Sequence, residues 1–195
     1  MPQVLAIDPS LGGCAVAVAS TGRPEVLTYL FTSSPAQDSR GRVLRYRGII
    51  QPIVAIARRQ PDLDLIIIEG YAFGAQSAGA NDRAEFGGML RDALIDLAPV
   101  WEVSPTTLKM WVTGKGTASK AEMVSSLSRR WDRGFTSDDE ADAFGLAVLG
   151  LQMLGFDAPN GTAAQRTQAF HLAAALRLGG GSMPRKKKKT KKGSV

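Results

Sequence analysis

Residues 63–70 read LDLIIIEG: Leu65 to Ile68 are unbroken aliphatic residues, and Glu69 and Gly70 close the run. Such a run leaves no face for water, so the segment reads as a central strand buried on both sides. A second segment ends the same way. Val4 to Asp8, VLAID, is apolar up to its final acid and runs into the turn Pro9-Ser10-Leu11-Gly12-Gly13. A carboxylate at the C-terminal end of a buried strand lies at the sheet edge, where α/β proteins place ligands. If the two strands are neighbours, Asp8 and Glu69 face each other there.

The flanking sequence sets the class. Cys14 to Ala19 and Val26 to Thr32 read as strands separated by Thr21, Gly22 and Pro24, which predicts an N-terminal three-stranded meander. Val43, Tyr46, Ile50, Ile53, Val54 and Ala57 recur at helical spacing over Arg42 to Arg59, and Pro52 predicts a kink or a break. Further helices are expected at Asn81 to Leu97, from Ser104-Pro105 through Trp111, at Lys120 to Trp131 after a Ser119 cap, and at Thr162 to Leu176. A short strand is expected at Val100 to Val103. Strands first, then strands alternating with helices, indicate an α/β protein with a mixed sheet flanked by helices. Trp101, Trp111, Trp131 and His171 read as packing residues. Phe86, Met89, Leu90 and Leu94 fit either a core or a subunit interface.

With 195 residues and 44% apolar composition, the chain suits one domain, 1–178, followed by a Gly-rich linker and polylysine tail, 179–195. A single cysteine, Cys14, excludes an internal disulfide and suggests a reducing compartment. No apolar run approaches the roughly 18 residues of a membrane span, and no basic-then-apolar signal pattern opens the chain, so a soluble, cytoplasmic protein with no membrane partner is expected. The net charge of +6 is unevenly placed: Arg185, Lys186, Lys187, Lys188, Lys189, Lys191 and Lys192 supply seven cations, and the rest is near neutral. Such a tail repels itself and should be disordered. It suits phosphate backbones, or serves solubility or localisation.

One more stretch carries chemistry. SDDEADAFGLAVLGLQML, Ser137 to Leu154, crowds acids onto the start of an apolar helix. Ser137 with Glu140 three residues on fits the capping box, and Asp138 and Glu140 suit a first turn electrostatically. Asp139 and Asp142 are i and i+3 and share one face. Brought to Asp8 and Glu69, they would make a cluster of four mutually repulsive carboxylates, which implies a cation. All-oxygen ligands favour Mg²⁺ or Mn²⁺, and one His with one Cys leaves little for zinc. Two such cations about 4 Å apart support in-line phosphoryl displacement. Asp138 and Glu140 are therefore expected to cap, and Asp139 and Asp142 to hold metal.

Taken together, AIDPSLGGCAVAV, IIIEGYAFG and DDEADAFGLAVLG resemble the RuvC Holliday-junction resolvases of the RNase H-like superfamily. The segment TTLKMWVTGKGTASKAEM adds Lys109 and Lys120, eleven residues apart. The resemblance covers about residues 3–153 and excludes the polylysine tail. It implies an RNase H-like mixed five-stranded sheet and a homodimer in a bacterial or phage-infected cell. That dimer would nick four-way DNA junctions in paired, symmetrical fashion with two Mg²⁺ per site, Mn²⁺ substituting. Asp8, Glu69, Asp139 and Asp142 would hold the metals, Asp8 bridging, with Lys120 stabilising charge on the phosphate and Lys109 contacting the backbone nearby. The family stacks an aromatic on unpaired bases. Here GYAFGAQ offers Tyr71 and Phe73, of which Phe73 is favoured, in a loop that departs from the family pattern.

Alternatives remain at this point. Tyr71 and Phe73 could pack beneath the next helix, Lys115 could contact DNA or sit in a solvated loop, and the patch Arg40, Arg42, Arg45 and Arg47 could touch DNA or only water. TGKGTASK lacks the GxxxxGK[ST] spacing of a nucleotide loop. A broader flap or fork nuclease, or a non-catalytic junction-binding protein, would share most of these features. The latter gains nothing from acids beside phosphates.

Overall fold

A computed structural model describes residues 1–23, 25–60, 62–70, 79–156 and 162–179; Tyr71, Phe73 and the tail lysines Lys186, Lys187, Lys188 and Lys189 lie outside them. The elements in chain order are β1 (Gln3–Asp8), β2 (Gly13–Ser20), β3 (Leu27–Thr32), α1 (Ser39–Arg58), β4 (Leu63–Glu69), α2 (Ala80–Leu94), β5 (Val100–Val103), α3 (Pro105–Thr113), α4 (Lys120–Trp131), α5 (Asp138–Met153) and α6 (Ala163–Gly179). The sheet order is β3-β2-β1-β4-β5. β1 to β3 form the expected antiparallel meander, while β4 lies parallel to both β1 and β5.

Strand alternation divides the core in two. Leu5, Ile7, Cys14, Val16, Val18, Ile66 and Ile68 pack under α1 and α2. Val4, Ala6, Ala15, Ala17, Ala19, Leu65 and Ile67 face the opposite layer, where α5 lies on the sheet beneath α3, α4 and α6. Alanines along β1 and β2 let α5 approach closely. A Cβ at Gly150 would lie 2.6 Å from Val4 Cγ1, so the contact requires glycine. From Ala143 to Met153 every α5 residue is buried, which explains a sequence that is apolar apart from Gln152.

Several expectations are corrected. α1 continues through Pro52 without a break; the carbonyl deprived of its donor belongs to exposed Gly48, where water can reach it. Phe86, Leu90 and Leu94 are fully buried against α1, and Met89 packs at the edge of that cluster, which resolves their role as core. Trp111 is buried and stacks on Trp131 with ring centroids 6.3 Å apart, while Trp101 and Trp131 are only partly buried. His171 is exposed beside the exposed Phe170, because α6 turns Ala169, Leu172 and Ala173 inward instead. α6 is tied down by Gln165, whose Nε2 donates to the Trp111 carbonyl at 3.0 Å, and Trp111 Nε1 donates to Gln152 Oε1 at 3.1 Å. Among the described residues no helix is long and apolar enough to cross a membrane.

Candidate active site

The same alternation aims the two strand-end acids. Asp8 is in phase with Val4 and Ala6, and Glu69 with Leu65 and Ile67, so both point to the α5 side. In the parallel register Ile7 pairs with Ile68, and Asp8 and Glu69 are the next residues along the two strands. Opposite them, the first turns of α5 present Asp139 and Asp142. Carboxylate oxygens of Asp8, Glu69 and Asp142 lie within 4.8 Å of one another. Asp139 joins through a side-chain hydrogen bond with Asp8. It fits because the neighbouring strand residue is glycine: a Cβ at Gly13 would sit 2.7 Å from Asp139 Oδ2.

All four acids line one cleft of about 610 Å³, with Lys109 and Lys120 on its wall. Burial, followed by the charges of Glu69, Asp139 and Asp142, pushes the Asp8 carboxyl up to about 9. Glu69 rises to about 8, through burial and then the Asp142 charge, against the pull of Lys109 and Lys120. Burial carries Asp142 up to about 6 despite Lys120, and Asp139 also rises. Among the described residues no ion pair involves any of the four acids. An all-oxygen cluster of carboxyl groups with no ion-pair partner fits a hard divalent cation.

The surrounding residues sort differently from expectation. Asp138 is not simply a helix-end charge: it is ion-paired to Lys120, which raises the lysine and lowers the acid. Ser137 is the N-cap, accepting from the Glu140 N–H at 3.1 Å, but Glu140 does not return the capping-box bond. Instead its carboxylate accepts from Thr136 N–H (2.8 Å), Thr136 Oγ1 (2.6 Å), Thr28 Oγ1 (2.7 Å) and Arg133 Nη2 (3.2 Å). Burial opposes its ionisation, yet those bonds hold it down at about 2. A full capping box occurs on α4, between Ser119 and Glu122.

Lys115 is exposed in the α3–α4 loop and lines a separate cleft of about 400 Å³ with Thr113, Ser125, Ser126 and Arg129. The arginine patch is divided. Arg45 donates to the Leu11 carbonyl at 2.7 Å and to Ser33 Oγ at 2.8 Å, pinning the loop after β1, and also lines the main cleft. Arg42 lies 3.8 Å from both Asp82 and Glu85. Arg40 and Arg47 are exposed. The roles of Gly13, Arg45, Glu140 and Arg133 are not apparent from local sequence.

The sheet order, with acids from two adjacent parallel strands facing acids on a packed helix, defines an RNase H-like protein with an acidic centre suited to divalent metal. No family model matches the chain. Crossover junction endodeoxyribonuclease RuvC of Salinispora arenicola is 30% identical over 158 residues, covering 75% of this chain and 85% of the relative. The enzyme of the same name from Chlamydia trachomatis is 27% identical over 150 residues, covering 74% and 88%. In fold, the chain is similar to Thermus thermophilus RuvC in complex with Holliday junction substrate, at a TM-score of 0.62 and 18% identity over 76% of this chain and 91% of that one. The chain belongs to the RuvC family of crossover junction endodeoxyribonucleases.

Proposed function

We propose that this chain is a metal-dependent DNA endonuclease that resolves four-way junctions by paired symmetrical nicks, acting as a homodimer. The convergence of Asp8, Glu69 and Asp142 within 4.8 Å, in a cleft shared with two lysines, carries the reading. Membership of a family named for crossover junction cleavage supports it, as does a fold that Thermus thermophilus RuvC displays with a Holliday junction substrate.

Asp8, Glu69, Asp139 and Asp142 would hold two Mg²⁺ ions, or Mn²⁺ in their place, with Asp8 central to the set. The metal supplies an activated water and neutralises charge on the phosphate. The protein does the rest. Proton loss from Asp8 and Glu69 accompanies cation binding, since carboxylates bind metal only when ionised. Lys120, with three ammonium donors and one partner in Asp138, can turn a second donor to a phosphate oxygen as negative charge grows. Lys109, one helix over, contacts the strand beside it. An aromatic after Glu69, Phe73 before Tyr71, would stack on bases at the crossover.

The test is nicking of labelled four-way junctions, flaps and linear duplex by the wild type and Asp142→Asn, with Mg²⁺ or EDTA. Symmetrical paired nicks on the junction, abolished by EDTA or the substitution, are expected. Equal cleavage of every branched substrate would replace this reading with a general branch nuclease. Tight junction binding without metal-dependent cleavage would leave a binding protein.

A further inference from the structure

Between the two metal-facing acids of α5 sits Glu140, and its side chain points elsewhere. At 3.6 residues per turn, positions 140 and 142 lie roughly 160° apart around the helix. While Asp142 reaches towards β1 and β4, Glu140 reaches Thr28 on the edge strand β3. All four of its close contacts are hydrogen-bond donors, and two oxygens accept two bonds each. Arg133 extends the network: Nη1 donates to the Val26 carbonyl at 2.7 Å and Nη2 to Thr28 Oγ1 at 2.8 Å, and the guanidinium lies over Phe144 of α5 at 5.2 Å. The N-terminal turn of α5 is thus fastened to the β3 edge of the sheet, 112 residues away in sequence.

We propose that Glu140 is a positioning residue: held by Thr28, Thr136 and Arg133, it sets the rotation and depth of the α5 N-terminus, and so the spacing of Asp139 and Asp142 from Asp8 and Glu69. The inference rests on the metal-centre reading above. Its geometry gives the reason. Asp139 Oδ2 lies only 2.7 Å from where a Cβ on Gly13 of β2 would sit, and β2 is paired from Gly13 to Val18 with β3, the strand Glu140 grips. A helix free to roll about its axis would move Asp139 off Gly13 and Asp142 away from Glu69 in one motion. Packing farther along, from Ala143 to Met153, anchors the body of the helix, whereas Glu140 ties down the end that carries the two acids.

The experiment measures Mn²⁺ binding to DNA-free protein by calorimetry, alongside thermal melting and Mg²⁺-dependent junction nicking. Glu140→Ala is expected to weaken Mn²⁺ binding about tenfold at temperatures where the protein is fully folded, the low end for residues that orient a metal's ligands. Glu140→Gln keeps one acceptor oxygen but turns an NH₂ onto groups that are themselves donors, so it should recover only part of that loss. Thr28→Val, remote from the carboxylates in sequence, should reproduce part of it. Wild-type Mn²⁺ affinity in folded Glu140→Ala would overturn the proposal. So would wild-type Mn²⁺ affinity in Thr28→Val, since that change removes the tie to β3 without altering any charge, and the Glu140→Ala effect would then be one of charge. A wild type that binds no divalent cation would overturn the metal-centre reading and this inference with it.

Discussion

Gly13→Ala tests whether the placement of Asp139 limits catalysis. The added Cβ would lie 2.7 Å from Asp139 Oδ2, whereas ordinary contact begins at 3.4 Å, so the oxygen must retreat by about 0.7 Å. Its other near neighbour, Leu30 Cδ1 at 3.7 Å, has room. The obstacle is the tip of a movable side chain, and Gly13 is not among the positive-φ residues, so folding tolerates the change. Replacing strand glycine by alanine gains about 0.4–1 kcal/mol from the unfolded chain, which offsets the carboxylate's displacement, and stability should stay within about 1 kcal/mol of wild type. Catalysis has no such tolerance. Displacements near 1 Å in a reacting constellation cost on the order of 10²-fold, so the nicking rate should fall roughly 10- to 100-fold. Single-turnover cleavage of a labelled junction at saturating protein and Mg²⁺ reads that rate, with melting and junction binding as controls. In an Asp139→Ala background, the alanine at 13 should make no further difference to Mn²⁺ affinity. A folded Gly13→Ala protein that nicks within twofold of wild type would refute the reasoning.

Other outcomes follow from the same geometry. Asp8, Glu69 and Asp142 keep protons in the folded, metal-free protein that the unfolded chain releases above its ordinary carboxyl range near pH 4, so metal-free stability should fall from pH 5 to pH 8. Thermal melting should show that fall, and Asp8→Asn or added Mn²⁺ should flatten it. Lys115→Ala and Arg129→Ala should each lower the slope of log affinity against log salt by about one while leaving saturated nicking unchanged, if their cleft follows a DNA backbone. Deleting residues 185–195, with seven of the chain's cations, should weaken DNA binding and its salt dependence; loss of metal-dependent nicking at saturating DNA would contradict this.

What the sequence reveals here depends on how far apart the interacting residues lie. β1 and β4 are legible because both faces of each are buried, which leaves unbroken apolar runs with a terminal acid. The Asp139–Asp142 face follows from helical spacing alone. Glu140 misleads because Ser137-x-x-Glu140 satisfies a local pattern, while its main long-range partner, Thr28, belongs to a strand that no spacing rule connects to α5. Asp138 misleads similarly: a first-turn acid is self-sufficient on a helix considered alone, and Lys120 comes from a different helix. His171 has apolar neighbours in sequence, yet a helix a few turns long that is buried on one side exposes residues adjacent to core ones. Gly13 carries no signal at all beyond belonging to a turn-like pair, since the reason for it is a side chain 126 residues away.

These misreadings share a cause, and it is functional. A cluster of acids whose carboxyls are pushed up to about 9, 8 and 6 opposes its own assembly, because every charged form would be more stable in water. Something remote from the acids must therefore hold them together before a cation arrives. The α5 helix does so in two ways that local sequence rules treat separately. Its apolar length, buried from Ala143 to Met153 on a bed of alanines, anchors it to the sheet. Its start is gripped through Glu140 and Arg133 by an edge strand with no part in the chemistry. Asp139 and Asp142 are carried between these anchors and are pressed against Asp8 and Glu69 without needing any attraction to them. The proposed centre is therefore preorganised by the fold, and a cation would meet carboxyl groups already in place rather than gathering them.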